Sequence, residues 1–157
     1  MVEERALEEM LRAVSLRVTR PRVAVLAAVS SHPHADADTI IGAVRAVLGS
    51  VSKQAVYDVL AALVDTDLVR RIEPQGSPAR FEARVGDNHH HVVCRSCGNI
   101  ADVDCAVGQA PCLHASDSHG FVIDEAEVIY WGTCPDCAAK RLVTHQNLTI
   151  TRSDTQI

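Results

Sequence analysis

Two Cys-x-x-Cys pairs constrain this chain more than any other feature of its sequence: Cys94–Cys97 and Cys134–Cys137. A two-residue spacer in a tight turn brings both sulfurs of a pair to one side, so two pairs can complete a tetrahedral site for one ion. Gly98 and Pro135 suit such turns. The alternatives are buried free cysteines or a redox Cys-x-x-Cys, although a thioredoxin-like site needs only one pair. The spacing favours structural zinc, and four thiolate ligands leave no position for a substrate.

Length and composition are those of a globular chain. The chain has 157 residues, of which 47% are hydrophobic and 22% are charged, and these values exclude wholesale disorder and collagen-like repetition. No apolar run reaches the roughly 20 residues of a membrane helix, and the first residues lack the order of a secretory signal. We therefore expect a cytoplasmic protein without membrane contact. In that compartment, six cysteines and eight histidines indicate metal ligation or thiol chemistry and not disulfides.

The net charge of −5 hides an uneven distribution. Residues 89–137 carry seven acids against the single Arg95, so this half favours cations. Residues 10–35 contain no acid and carry four arginines, Arg12, Arg17, Arg20 and Arg22. That cationic patch suits phosphates, although a solvated charged face explains such a cluster equally well.

The first half of the chain has helical periodicity and then two strands. Apolar residues recur at helical spacing up to about residue 65, and later helices are predicted to begin at Thr19, at Asp36 or Asp38, and at Ser52. Residues 68–73 and 79–83 are predicted strands. This order is typical of a winged helix-turn-helix, whose last helix reads a major groove. A helical domain with an added hairpin is the alternative.

The second half predicts a separate domain of short strands, at residues 91–94, 100–103, 121–123 and 128–131. These strands flank a partly helical segment around residues 105–119. We place the first domain at residues 1–84, a hinge at 85–88 and the second domain at 89–141. Residues 142–157 are polar and are predicted to form a flexible tail.

A second group of candidate ligands offers nitrogen and oxygen. His89 and His91 project from one face of a predicted strand, because side chains alternate along a strand. Asp102 lies on the next strand, Glu82 ends the hairpin, and His34 lies in a loop. His34 alone is most simply a surface histidine. Three adjacent histidines beside a Cys-x-x-Cys are less easily explained as surface residues and favour a metal site. Such a set suits iron(II), manganese or zinc.

Four segments resemble the ferric uptake regulator family: residues 16–26, 51–60, 89–97 and 130–137. The resemblance covers most of the chain in order. It implies an α+β fold, in which an N-terminal winged helix-turn-helix domain precedes a small α/β dimerisation domain. It also implies a homodimeric, metal-dependent repressor that binds palindromic double-stranded DNA operators. The family's structural zinc site falls on the four cysteines named above, and its regulatory metal site falls on His34, Glu82, His89, His91 and Asp102.

Residue 102 points to one branch of that family. Iron-sensing members usually have Glu where this chain has Asp102, whereas peroxide sensors have Asp. Residues 105–112 resemble the actinobacterial branch, whose targets include a catalase-peroxidase. The resemblance therefore implies a peroxide-responsive repressor with Fe²⁺ or Mn²⁺ at the regulatory site, where Zn²⁺ can bind in vitro. An iron- or zinc-uptake repressor is the alternative. The chain departs from some relatives at Asp58, where they have Arg.

We therefore predict a metal-dependent DNA-binding repressor and not an enzyme. Its DNA contacts are predicted at six residues, Arg17, Arg20, Arg22, Lys53, Gln54 and Tyr57. A zinc hydrolase would explain the histidines but not the helix-turn-helix pattern, and the sequence has no His-Glu-x-x-His motif. A thiol oxidoreductase would use Cys105 and Cys112, whose spacing also permits a regulatory disulfide.

Overall fold

The computed structural model describes residues 4–83, 89–104, 117–123 and 128–141. The chain divides into two compact units, Met1–Asp87 and Asn88–Ile157. The first unit contains, in chain order, α1 (Glu4–Ala13), α2 (Arg20–Ser31), β1 (Ala35–Asp36), α3 (Ala37–Leu48), α4 (Lys53–Val64), β2 (Arg70–Ile72) and β3 (Arg80–Glu82). The second contains β4 (His89–Cys94), β5 (Ile100–Asp104) and β6 (Ile129–Gly132).

Three helices of the first unit begin at side-chain caps. Thr19, Asp36 and Ser52 each accept a hydrogen bond from the backbone N–H three residues further on, at 3.4, 2.8 and 3.1 Å respectively. The N–H of Thr39 holds the pKa of the Asp36 carboxyl below its usual value. Gly49 ends α3 with a φ of 80°, a conformation that favours glycine. Local sequence signals therefore set where these helices start and stop.

One apolar core holds the helices of the first unit together. Each helix contributes a stripe of side chains that are at most a few per cent exposed, and Leu60 and Leu63 of α4 are 2% and 0% exposed. Removing such a side chain by a Leu→Ala change costs about 2 to 5 kcal/mol. The Arg45 guanidinium adds two hydrogen bonds, because its Nε and Nη2 both donate to the Val51 carbonyl oxygen at 3.1 Å. These hydrogen bonds stabilise the turn that leads into α4.

The first unit also contains a three-stranded antiparallel sheet in the order β1-β3-β2, in which β1 precedes α3 in the chain and β2 and β3 follow α4. The predicted hairpin is present as β2 and β3, with shorter strands than the sequence indicates. The sequence did not predict β1, which pairs Ala35 with Phe81 and Asp36 with Arg80. A third strand that ties the helices to the wing distinguishes a winged helix from a helical domain with a hairpin. The predicted fold class is confirmed.

The second unit contains a three-stranded sheet in the order β5-β4-β6. Strand β4 pairs antiparallel with β5 and parallel with β6. The predicted strand at Phe121–Ile123 is wrong, because these exposed residues form no strand. Residues 135–141 are helical. The predicted hinge at 85–88, the segment 105–116 and the tail at 142–157 lie outside the described residues.

Within the described ranges, no single helix is long and apolar enough to cross a membrane. Helices α3 and α4 pass that test only when taken together, and they meet at a bend of 109°.

Candidate metal centres and nucleic-acid interface

The four cysteines of the two Cys-x-x-Cys pairs come together at one edge of the second sheet. Strands β4 and β6 are parallel neighbours, with Cys94 opposite Gly132. Both strands therefore end at the same edge, where Cys94 is the last residue of β4 and Cys134 lies two residues beyond the end of β6. The turn after β4 is closed by hydrogen bonds from the Cys94 N–H to the Asn99 oxygen and from the Gly98 N–H to the Cys94 oxygen, both 2.8 Å. As a result, all four Sγ atoms lie within 4.8 Å of one another.

The spacing of these sulfurs fits a tetrahedral zinc ion. The Sγ atoms of Cys97 and Cys134 are 3.7 Å apart. Zinc–sulfur bonds of about 2.3 Å in a tetrahedron require about 3.8 Å between sulfurs. Four protein thiolates also fill the coordination shell, which is the pattern of a structural site and not of a catalytic one.

Backbone donors prepare this cluster for a cation. The N–H groups of Cys134, Cys97 and Ser96 point at the Cys94 sulfur and lower its pKa to about 6. The Cys134 nitrogen lies 3.3 Å from that sulfur. The thiol of Cys137 has the opposite tendency, because the Cys134 and Cys97 sulfurs raise its pKa to about 12. Four crowded sulfurs cannot all be thiolates on their own, so a divalent cation is the group that lets them ionise together.

An arginine–tryptophan contact flanks the cysteine cluster. The Arg95 guanidinium carbon lies 5.1 Å from the centre of the Trp131 ring, a cation–π distance. The Arg95 N–H also donates to the Gly132 oxygen at 2.9 Å. Sequence reasoning missed this contact, because it depends on the parallel pairing of β4 with β6. The contact of Arg95 with Trp131 and Gly132 holds the start of the first cysteine turn against the end of β6.

The first unit places a histidine against a buried carboxylate. Because Ala35 pairs with Phe81 in an antiparallel register, His34 lies beside Glu82. The His34 Nε2 and Glu82 Oε2 atoms are 3.0 Å apart, and Glu82 is 1% exposed. His34 also has a φ of 58°, a strained conformation for a non-glycine residue that costs about 1 to 3 kcal/mol and is typical of functional sites.

The second unit contains a similar pair. In the β4–β5 register, His91 is opposite Asp102, and its Nε2 lies 3.8 Å from the Asp102 Oδ1. The ring of His89 contacts that of His91 edge to face, with centroids 4.9 Å apart. His90 points to the other face and approaches Tyr130. The alternation predicted for the three histidines is therefore the arrangement in β4.

The two pairs offer the donor chemistry that first-row divalent metals prefer. Each unit presents imidazole nitrogen beside carboxylate oxygen, and both His91 and Glu82 are 1% exposed. Buried polar groups of this kind require hydrogen-bonding or metal partners. Nitrogen and oxygen donors suit iron(II), manganese(II) or zinc, in contrast to the all-sulfur cluster.

The exposed face of α4 carries the predicted DNA contacts. Lys53, Gln54 and Tyr57 are all exposed on this helix. Two of them have acidic partners that the sequence analysis missed. The Lys53 Nζ is 2.9 Å from the Asp38 Oδ1, and the Gln54 Nε2 donates to the Asp58 Oδ1 at 2.7 Å. The second partner could have been found from its i,i+4 spacing, whereas the first depends on the packing of α3 against α4.

Of the three predicted arginine contacts, Arg20 and Arg22 lie in the first turn of α2 and Arg17 lies in the segment before it. Arg17 and Arg20 are exposed, and Arg22 is half-buried. The Arg22 Nη1 donates to the Arg17 carbonyl oxygen at 2.8 Å, so its guanidinium is partly used within the unit. The candidate redox residues Cys105 and Cys112 lie outside the described residues.

Comparison with known proteins agrees with this geometry. The model of the Ferric uptake regulator family matches residues 13–130. The chain is 72% identical over 130 residues to the transcriptional regulator FurA of Mycobacterium tuberculosis, a match that covers 83% of this chain and 88% of FurA. It is 30% identical over 146 residues to the peroxide-responsive repressor PerR of Staphylococcus aureus, covering 87% of this chain and 95% of PerR.

A solved structure supports the same fold. The ferric uptake regulator Fur of Helicobacter pylori, which has three functional metal-binding sites, superposes with a TM-score of 0.63 at 17% identity, covering 85% of this chain and 90% of that protein. The family match and the 72% identity to FurA confirm the resemblance seen in the sequence, and with it the prediction of a regulator and not an enzyme. The chain belongs to the Ferric uptake regulator family and is a transcriptional regulator of that family.

Proposed function

We propose that this protein is a homodimeric, metal-dependent repressor that binds operator DNA in the cytoplasm and releases it when the cell meets peroxide. The regulatory ion is Fe²⁺ or Mn²⁺, with His34, Glu82, His89, His91 and Asp102 as its ligands. A separate zinc ion bound by the four cysteines has a structural role. The genes under control are those of the oxidative-stress response, including a catalase-peroxidase.

The observation that carries this proposal is a pair of histidine–carboxylate contacts, His34 with the buried Glu82 and the buried His91 with the more exposed Asp102. One of these pairs belongs to each unit. An ion that takes ligands from both pairs restricts the angle between a DNA-binding unit and the rest of its dimer. Two half-sites of an operator demand a fixed spacing, so the metal selects the state that binds DNA.

The peroxide response is argued from the ligand chemistry. Iron(II) held by these ligands would activate the O–O bond of hydrogen peroxide and would be regenerated, because the two electrons finally come from the imidazole ring. The net change that we expect is the transfer of one oxygen atom from hydrogen peroxide to an imidazole carbon of His34 or His89, with release of water. An oxidised ring is a poorer ligand, so the regulatory site weakens and the DNA is released. The likeness to PerR supports this response, and the 72% identity to FurA leaves iron regulation as the alternative.

The test is DNA binding by the zinc-loaded protein, with a duplex selected from a random-sequence pool in the presence of Mn²⁺. We expect binding with added Fe²⁺ or Mn²⁺, loss of binding after peroxide with Fe²⁺, and no loss with Mn²⁺. His91→Ala should bind the duplex weakly both with and without added metal. His119 is exposed, so His119→Ala is the matched control and should bind like wild type. Binding that is equally tight without added metal would contradict the proposal.

A further inference from the structure

The face of α4 that points away from the core is centred on Gln54 and Asp58. An α-helix turns by about 100° per residue. Counted in one direction around the helix, Gln54 and Asp58 lie about 150° and about 190° from the middle of the buried stripe of Val56, Leu60 and Leu63. Tyr57 lies about 90° from that stripe, closer to the flank. When an exposed helix of a winged helix-turn-helix enters a major groove, the residues opposite its buried stripe lie deepest in the groove. Gln54 and Asp58 hold that position here.

The contact between these two side chains leaves mainly acceptor atoms on this face. The Gln54 Nε2 donates to the Asp58 Oδ1 at 2.7 Å, so one amide N–H is used within the pair. The second carboxylate oxygen and the amide oxygen still accept, while a single N–H is left to donate. The one basic residue of α4 does not change this balance, because the Lys53 Nζ is paired with the Asp38 Oδ1. Across the part of the chain that the structure describes, Asp58 makes no ion pair with a lysine or arginine.

We propose that the Gln54–Asp58 pair reads the exocyclic amino group of one base, cytosine N4 or adenine N6, in the major groove of the operator. The inference rests on the proposed function, in which α4 contacts DNA. In the major groove, guanine presents two acceptors and thymine an acceptor and a methyl group, whereas cytosine and adenine present an amino donor. A carboxylate can accept from that amino group only, and it is repelled by the guanine acceptors and by phosphates.

Selectivity of this kind works by rejection as well as by attraction. A carboxylate that enters the groove weakens binding to every sequence that does not place an amino group opposite it, because an unpaired charge is then desolvated. Gln54 acts as a positioning residue, since its hydrogen bond orients the carboxylate along the helix. The base contact and the rejection of other DNA therefore come from the same side chain.

The test is selection of binding sites from a random duplex pool by the full-length, metal-loaded protein, followed by sequencing. Wild type is compared with Asp58→Ala, and with Asp65→Ala as a matched control, because Asp65 is an exposed acid at the other end of the same helix. We expect one cytosine or adenine per half-site to be required by wild type and by the control, but not by Asp58→Ala. The identity of that base distinguishes cytosine N4 from adenine N6. Asp58→Ala should also bind unselected DNA more tightly than wild type.

A chemical substitution then identifies the group that is read. In the selected duplex, the required base is replaced by its analogue without the amino group, purine for adenine or 2-pyrimidinone for cytosine. Wild type should lose about tenfold in affinity, within the range of a specific base contact, and Asp58→Ala less than twofold. Identical selected sequences for all three proteins, or equal losses with the analogue, would overturn the inference. If wild type selects no sequence with any metal, it is the proposed function that fails.

Discussion

Replacing one cysteine of the sulfur cluster should unfold the second unit while leaving the first intact. In Cys134→Ser, a sulfur that lies 3.7 Å from that of Cys97 is lost, and so is one of the four thiolates that a tetrahedral zinc requires. Binding energy at a structural zinc site is also folding energy, because the unfolded chain has no site. The variant should therefore contain no tightly bound zinc and should not form a stable dimer.

The apolar core of the second unit cannot compensate for this loss. Among its described residues, the buried apolar side chains other than the proposed zinc ligand Cys94 are Val93 and Ile100. Burial of such side chains contributes about 1.5 to 3 kcal/mol each, whereas a structural zinc contributes about 10 to 16 kcal/mol near neutral pH. The first unit has its own extended core and should keep its helical structure.

The assay combines zinc content with two optical signals. Trp131 is the single tryptophan of the chain and lies against Arg95, so its fluorescence reports on the second unit alone. Far-ultraviolet circular dichroism reports mainly on α1 to α4. We expect Cys134→Ser to shift the tryptophan emission to that of an exposed ring and to retain most of the helical signal. Ser96→Ala, which changes a residue between the cysteines of the first pair but removes no metal-binding side chain, should match wild type. A zinc-free Cys134→Ser protein with native emission and a stable dimer would refute the reasoning.

Three further predictions address the DNA surface, the regulatory site and a helix cap. Arg17→Ala and Lys53→Ala should each weaken operator binding. In fluorescence anisotropy titrations, the plot of the logarithm of the association constant against the logarithm of salt concentration should become less steep by about 0.9 per lost phosphate contact. Unchanged slopes would refute the assigned contacts. Asp102→Glu should keep metal-dependent DNA binding, but peroxide should release much less DNA from its iron form. Mass spectrometry should then detect less oxygen added to histidine than in wild type. Full release of DNA by peroxide would contradict the role of Asp102. Asp36→Ala should lower the free energy of unfolding by about 1 kcal/mol in denaturant titrations near neutral pH, whereas Asp36→Asn should not. Because the pKa of Asp36 is lowered by Thr39, its contribution is lost as the pH falls below about 4, and this acid sensitivity should be absent in Asp36→Asn.

Features set by neighbouring residues could be predicted from the sequence. The caps at Thr19 and Ser52 and the stop at Gly49 depend only on side chains within one helical turn, and all three are present. The alternation of the histidines could also be predicted, since it follows from the geometry of any strand.

Features set by distant pairing could not be predicted. Strand β1 has only two residues, and it exists because Ala35 pairs with Phe81. The same pairing brings His34 to Glu82. At Phe121–Ile123 the sequence predicted a strand that the structure does not have. Aromatic and β-branched residues favour a strand there, but strand propensity does not provide a neighbouring strand with which to pair. The contact of Arg95 with Trp131 likewise depends on which strand becomes the neighbour of β4.

The parallel pairing of β4 with β6 has a consequence for synthesis of the protein on the ribosome. Every strand pairing among the described residues of the first unit lies within residues 35–82, so a nascent chain holds all of these strands before the second cysteine pair has been translated. The sheet of the second unit, by contrast, lacks its parallel strand until residue 132 has emerged, and its sulfur cluster lacks two members until residue 137. Domains generally fold in the order of synthesis. Each new molecule therefore passes through a stage in which the helix proposed to read DNA is already made and the sulfur cluster is not.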